Sequence, residues 1–260
     1  MENEKKGRGK ETYAFVDAAN LFYGGEKSMH FRVDYEKLIK YLREKFGVTK
    51  VFYYSGVDTD QYKEEGKELD LVKLVKYYEE ETAKKDKTED EMALLETHLK
   101  RARFYWDLTT MGYELRIKPT KVFVSSEGTT TTKANCDVDL TFDMMRFMSQ
   151  YNEAVVMSGD GDFAPILEYL KDKKKKIRVL ARFERTAREI KELAGEDFVD
   201  FKSLRKEIEA ERVKIGNGLP RLPADRQVVT SSRNDEIKNE PERPKKTGWL
   251  KKIPTFRKGF

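Results

Sequence analysis

The sequence predicts an α/β fold, a parallel sheet with helices on both faces. Three observations carry that prediction. Strand-length apolar runs alternate along the chain with segments of helical period. The runs are nearly continuous in apolar residues, as suits strands buried on both sides. Several of them end abruptly at Asp or Gly, where a strand gives way to a loop.

The first run, "TYAFVD", ends at Asp17. "DYEKLIKYLREKFG" then places Leu38, Ile39, Leu42 and Phe46 on one helical face and closes on Gly47, a residue suited to a left-handed cap. "KVFYYSG" is the second strand. A long charged insertion at about 58–90 interrupts the alternation, and its apolar positions Leu71, Leu74, Val75 and Tyr78 predict a helix docked along one edge or a protruding hairpin. "DEMALLETHLKRARFYWDLTTMG" is a long amphipathic helix ending at Gly112, followed by the strand "YELRIKP". "TKVFVSSEGTTTTKAN" alternates apolar and polar residues around Glu127 and Gly128, a hairpin pattern. "CDVDLTFDMMRFMSQ" sets Val138, Phe142 and Met145 at helical spacing. "EAVVMSG" is the fourth strand of the alternating series. Next comes a helix over "DFAPILEYLKDKKK", with Asp162 as its N-cap and Pro165 in its first turn. "KIRVLAR", a helix over "TAREIKELAG" with capping-box spacing from Thr186 to Glu189, and a weaker strand "DFVDF" complete the series.

Composition narrows the classes. Hydrophobic and charged residues each make up 38% of the chain, enough for a core beneath a heavily solvated surface. A single cysteine, Cys136, excludes an internal disulfide framework, and with only two histidines the chain lacks the ligands of a Cys-based zinc site. No apolar run approaches the roughly 20 residues of a membrane helix, and the charged N-terminus has no apolar segment behind it, so the expectation is a cytoplasmic protein without membrane contact. The formal net charge is +5, and residues 217–260 hold 11 Lys and Arg against 5 Asp and Glu, with five of the seven prolines. The expected organisation is a flexible stretch over 1–11, a domain over 12–203, a helical extension over 204–216 and a disordered basic tail over 217–260. The tail is read either as a solubilising extension or as a tether for a polyanion, because its Trp249, Phe256 and Phe260 lie among basic residues.

In an open parallel sheet, functional groups gather beyond the carboxyl ends of the strands, at the switch in strand order. Asp17 ends the first strand, Asp160 and Asp162 follow the fourth, and Asp137 opens the helix that leads into it. If the first and fourth strands are neighbours, these four acids converge. Each has an ordinary alternative: Asp17 and Asp162 as helix caps, Asp160 as a turn residue, Asp137, Asp139 and Asp143 as a solvated helix face. Converging acids cannot all stay ionised unaided. An all-oxygen set favours Mg²⁺ or Mn²⁺, which polarises a phosphoryl oxygen and acidifies a bound water.

Three segments, "FVDAANLF", "KANCDVDLTFDMM" and "VVMSGDGDFAPILEYLKDKKKKIRVL", together resemble the signature blocks of the NYN domain family, in its LabA-like branch. The resemblance spans roughly Thr12 to Phe201 and implies a Rossmann-like sheet of PIN type with a metal-dependent ribonuclease site. It makes Asp17, Asp137, Asp160 and Asp162 the catalytic and metal-holding acids. Asn20 becomes the polar companion of the first acid, and Lys133 a residue that meets a phosphate. Ala134 stands where the family has a glycine, and the charged insertion is longer than the pattern expects.

The function expected is therefore hydrolysis of phosphodiester bonds in RNA, taken as single-stranded. The alternative is a catalytically weak RNA-binding or complex-assembly module on a nuclease fold, with the insertion as a surface for a second copy or a protein partner. A phosphatase or nucleotide-hydrolysing protein fits less well, because the chain has neither a P-loop nor a G-x-G-x-x-G motif.

Overall fold

A computed structural model describes residues 11–57, 59, 62, 69–124, 130–133 and 136–211. The tail expected over 217–260 and the N-terminal stretch over 1–10 lie outside the described residues, as do most of the positions between 58 and 68.

In chain order, β1 (Thr12–Asp17) leads into the short α1 (Ala18–Asn20), which continues as a π-helical segment, Leu21–Lys27. Then come α2 (Tyr35–Phe46), β2 (Val48–Val57), α3 (Leu71–Thr82), α4 (Glu89–Met111), β3 (Tyr113–Pro119), β4 (Lys121–Val124), β5 (Thr130–Lys133) and α5 (Asp137–Arg146). The chain goes on through β6 (Glu153–Met157), α6 (Ala164–Asp172), β7 (Lys176–Ala181), α7 (Arg188–Ala194), β8 (Phe198–Asp200) and α8 (Phe201–Ile208). The main sheet runs β3-β2-β1-β6-β7-β8, and every pairing in it is parallel. The strand order reverses between β1 and β6, the switch point at which such sheets bind ligands. β4 and β5 form a separate antiparallel ribbon, as the hairpin pattern predicts.

Alternation along each strand supplies two cores. Ala14, Val16, Val51, Tyr53, Val155, Met157 and Leu180 meet α2, α3, α4 and α8 on one face. Tyr13, Phe15, Phe52, Tyr54, Ala154, Val156, Val179 and Ala181 meet α5, α6 and α7 on the other. Burial on both sides explains why the strands read as unbroken apolar runs.

Local signals set the helix ends. Asp34 accepts from the backbone N–H of Lys37 at the start of α2, and Gly47 ends that helix at φ 65°, a left-handed position that costs glycine little. Thr88 and Glu91 form a reciprocal capping box on α4. The charged insertion contains α3, a helix packed on α4 through the fully buried Leu74 and Tyr78, so its middle is a docked helix rather than a hairpin. Among the described residues no helix is long and apolar enough to cross a membrane.

Three local expectations change. The stripe Val138, Phe142 and Met145 on α5 faces solvent, while Leu140, Met144 and Phe147, at the same spacing, are buried. Both sets satisfy a helical repeat, and packing against β1 selects the second. Asp162 does not cap α6: Asp160 accepts the Asp162 N–H and caps a 3₁₀ turn over Gly161–Phe163 that runs into the helix. Thr186 does not cap α7, because its hydroxyl donates to the Arg182 carbonyl at 2.7 Å.

Candidate active site at the switch point

β1 and β6 pair in register up to Val16 opposite Met157, so the next residues, Asp17 and Ser158, emerge side by side. The buried Ser158 hydroxyl donates to Asp17 Oδ2 at 3.0 Å. Asp17 Oδ1 accepts the backbone N–H of Asn20 at 3.1 Å, capping α1 as a cap-only reading would have it. The Ser158 oxygen in turn accepts the Asp160 N–H at 3.3 Å. One hydroxyl thus ties the first acid to the loop that carries the third. No role for Ser158 was read from the sequence. The available signal was its place directly after the fourth strand, opposite an acid at the end of the first.

Burial pushes the Asp17 carboxyl up to about 6 from its ordinary 3.8, against the pull of the Asn20 and Ser158 hydrogen bonds, and the nearby charge of Asp137 raises it further. Asp137 is the first residue of α5, where the helix dipole favours negative charge. Cys136 lies in the same neighbourhood, and burial pushes its thiol up to about 12, which disfavours the nucleophilic thiolate. Asp139 is taken by an ion pair with Lys118 at the carboxyl end of β3. Asp143 turns away from this group: it is buried, accepts from Tyr54 Oη at 3.1 Å and pairs with Arg116 Nε at 2.7 Å.

Of the predicted acids, the structure brings Asp17 and Asp137 within electrostatic reach and links Asp160 to Asp17 through Ser158. Asp160 and Asp162 are exposed. Among the described residues no group of three or more His, Cys, Asp or Glu side chains is gathered closely enough to hold a metal ion. The four acids do not form one closed cage. Lys133 ends β5 opposite Lys121, and its side chain lies outside the described part of the structure.

The 158–161 loop is held against the start of α7 by close approach. A Cβ on Gly159 would stand 2.6 Å from Thr186 Oγ1 and 3.0 Å from its Cα, so glycine is required there. The Ala187 N–H donates to the Gly159 carbonyl at 2.9 Å across the same contact. Beside it lies a shallow, open cleft of about 420 Å³ whose lining includes Asn20, Asp160, Glu184, Arg185 and Thr186. Asp17 and Asp137 fit a hard cation: both are oxygen donors, one is desolvated and raised, and Mg²⁺ commonly takes one or two carboxylates with waters completing its shell.

The chain matches the NYN domain over residues 11–204. It is 27% identical over 199 residues to the low amplitude and bright protein LabA of Synechococcus elongatus, covering 75% of this chain and 86% of that protein. Among solved structures, a protein of unknown function from Vibrio parahaemolyticus aligns with a TM-score of 0.49 at 18% identity, over 76% of this chain and 96% of its own. The T5 5'-exonuclease with bound zinc aligns at 0.37 and 16% identity, over 75% and 65%. With its signature blocks, its switch-point acids and a family match from residue 11 to residue 204, the chain belongs to the NYN domain family.

Proposed function

We propose that this chain is a metal-dependent endoribonuclease whose site lies at the carboxyl ends of β1 and β6. The observation that supports the reading is the buried Asp17 at the switch point, within electrostatic reach of Asp137 and tied through Ser158 to the loop that carries Asp160. Asp17 and Asp137 hold Mg²⁺ or Mn²⁺, which supplies charge stabilisation at the phosphate and an acidified water. Ser158 and the Asn20 N–H orient the Asp17 carboxylate, leaving its remaining lone pairs for the ion. Asp160 lines the cleft and joins the acid set when substrate and ion are present. Asn20 and Lys133 contact the nucleic-acid backbone, and single-stranded RNA is the substrate class.

A second reading is favoured by one observation. Since no three-acid group is assembled among the described residues, the fold also suits a module that binds RNA and cleaves it weakly. Incubation of the purified chain with single-stranded RNA in Mg²⁺ and in Mn²⁺ separates the two. The nuclease reading expects cleavage that chelator, Asp17→Asn and Asp160→Asn each abolish while binding persists. Binding without cleavage in either metal supports the module.

A further inference from the structure

Arg185 stands apart from the charged side chains around it. It lines the cleft that Asn20 and Asp160 also line. Its neighbours are engaged: Arg182 donates to the Ser28 carbonyl at 2.8 Å and pairs with Glu184 at 3.1 Å. Lys202 also pairs with Glu184, Arg188 pairs with Glu192 at 2.6 Å, and Lys191 Nζ donates to the Phe183 carbonyl at 3.4 Å. Arg185 makes no ion pair and no side-chain hydrogen bond to any described residue, and it is exposed. Held between Lys202 and Arg182, the Glu184 carboxylate is already neutralised and does not compete for it. The side-chain amide of Asn20, in the same lining, likewise has no described hydrogen-bond partner.

We infer that Arg185 and Asn20 form a phosphate subsite for a nucleic-acid strand, seating an internal phosphodiester next to the one that is cut. Resting on the ribonuclease reading, the inference adds a binding residue to it. The chemistry follows from the lining. A guanidinium presents a fork of donors matched to phosphate oxygens, and an amide adds one more donor. Asp160 lies in the same lining, as does Glu184, whose charge Arg182 and Lys202 offset; the remaining negative charge disfavours a dianion, so the cleft suits the single charge of a phosphodiester better than a terminal monophosphate. Thr186 and Gly159, locked together by close contact, fix the position of the turn that carries Arg185. Nothing in "RFERTARE" distinguishes Arg185 from the arginines on either side of it. Only the pairing pattern in the folded chain does.

The test is fluorescence anisotropy of the full chain, in chelator, with a labelled single-stranded oligoribonucleotide carrying either a 5'-hydroxyl or a 5'-phosphate, across a range of KCl. Arg185→Gln is expected to weaken binding several-fold and to lower the slope of log K against log salt by about 0.7, the share of one phosphate on a single strand. Both probes should be affected equally. Arg185→Lys should keep the slope, and the ion-paired Arg188→Gln should change neither quantity. Equal melting temperatures show that the variants are folded. Unchanged affinity and slope in Arg185→Gln overturn the subsite and leave the ribonuclease reading standing. A loss confined to the 5'-phosphate probe overturns the internal-phosphodiester assignment, and absence of binding by the wild-type chain overturns both readings together.

Discussion

Ser158 Oγ donates to Asp17 Oδ2 at 3.0 Å, joining the ends of two strands that lie side by side in the sheet but 141 residues apart in the chain. The same oxygen accepts the Asp160 N–H, so this hydroxyl both steadies an acid that burial has raised and anchors the loop beside it. Ser158→Ala is expected to raise the Asp17 carboxyl above about 6 and to lower stability by about 1–2 kcal/mol through the unpaired loop amide. NMR titration of the Asp17 carboxyl and urea unfolding check the two effects. An unmoved titration means that the bond does not tune the acid.

Asp17 also sets a pH dependence of folding in the metal-free protein. The folded chain keeps its proton up to about pH 6, whereas the unfolded chain releases it near 3.8. Between those values the folded state binds more protons, so stability falls as pH rises through that window and stays lower above it. The contribution is roughly 2–3 kcal/mol. Asp17→Asn should therefore be more stable than wild type above pH 6 in chelator, and this advantage should shrink when Mn²⁺ is added. Calorimetric melting across pH checks it, and a variant less stable at every pH contradicts it.

Much of this was legible in the sequence. All six strands of the main sheet and its parallel character follow from apolar runs and their alternation with helices, which are local properties, whereas the pairing of the first and fourth strands stood only as a condition until the sheet showed it. Choices between equivalent local patterns were not legible. Val138, Phe142 and Met145 compete on equal terms with Leu140, Met144 and Phe147 until the sheet selects a face. The spacing suits Asp162 as the cap and Asp160 as a turn residue, and the 3₁₀ turn gives the cap to Asp160 instead. Pairings distant in the chain, such as Ser158 with Asp17 or Arg116 with Asp143, have no one-dimensional signature.

Asp143 separates structure from chemistry. It is buried and bonded to Arg116 and Tyr54, so Asp143→Ala leaves the phenol without its carboxylate and the guanidinium with only Glu114 as an ionic partner. The expected loss is about 3 kcal/mol of stability. Asp143→Ala protein kept folded at low temperature should retain metal-dependent cleavage, unlike Asp17→Asn. Unfolding curves and a cleavage assay below the melting temperature check the pair of outcomes.

Gly159→Ala tests the contact that seats the loop. Its methyl group would meet Thr186 Oγ1 at 2.6 Å, and relief requires the loop and the turn before α7 to separate. A loss of about 1–3 kcal/mol is expected. RNA binding should weaken with it, because Asp160 and Arg185 sit on opposite sides of that contact. A variant with wild-type stability shows that the loop shifts freely.

The most direct measurement is Mn²⁺ binding to the full chain, followed by the paramagnetic resonance of the free ion at a pH above the Asp17 value of about 6. The account predicts a saturable site in the wild-type protein that Asp17→Asn and Asp137→Asn each remove and that Mg²⁺ competes for. Equal Mn²⁺ binding by wild type and both variants, or none by wild type, contradicts it.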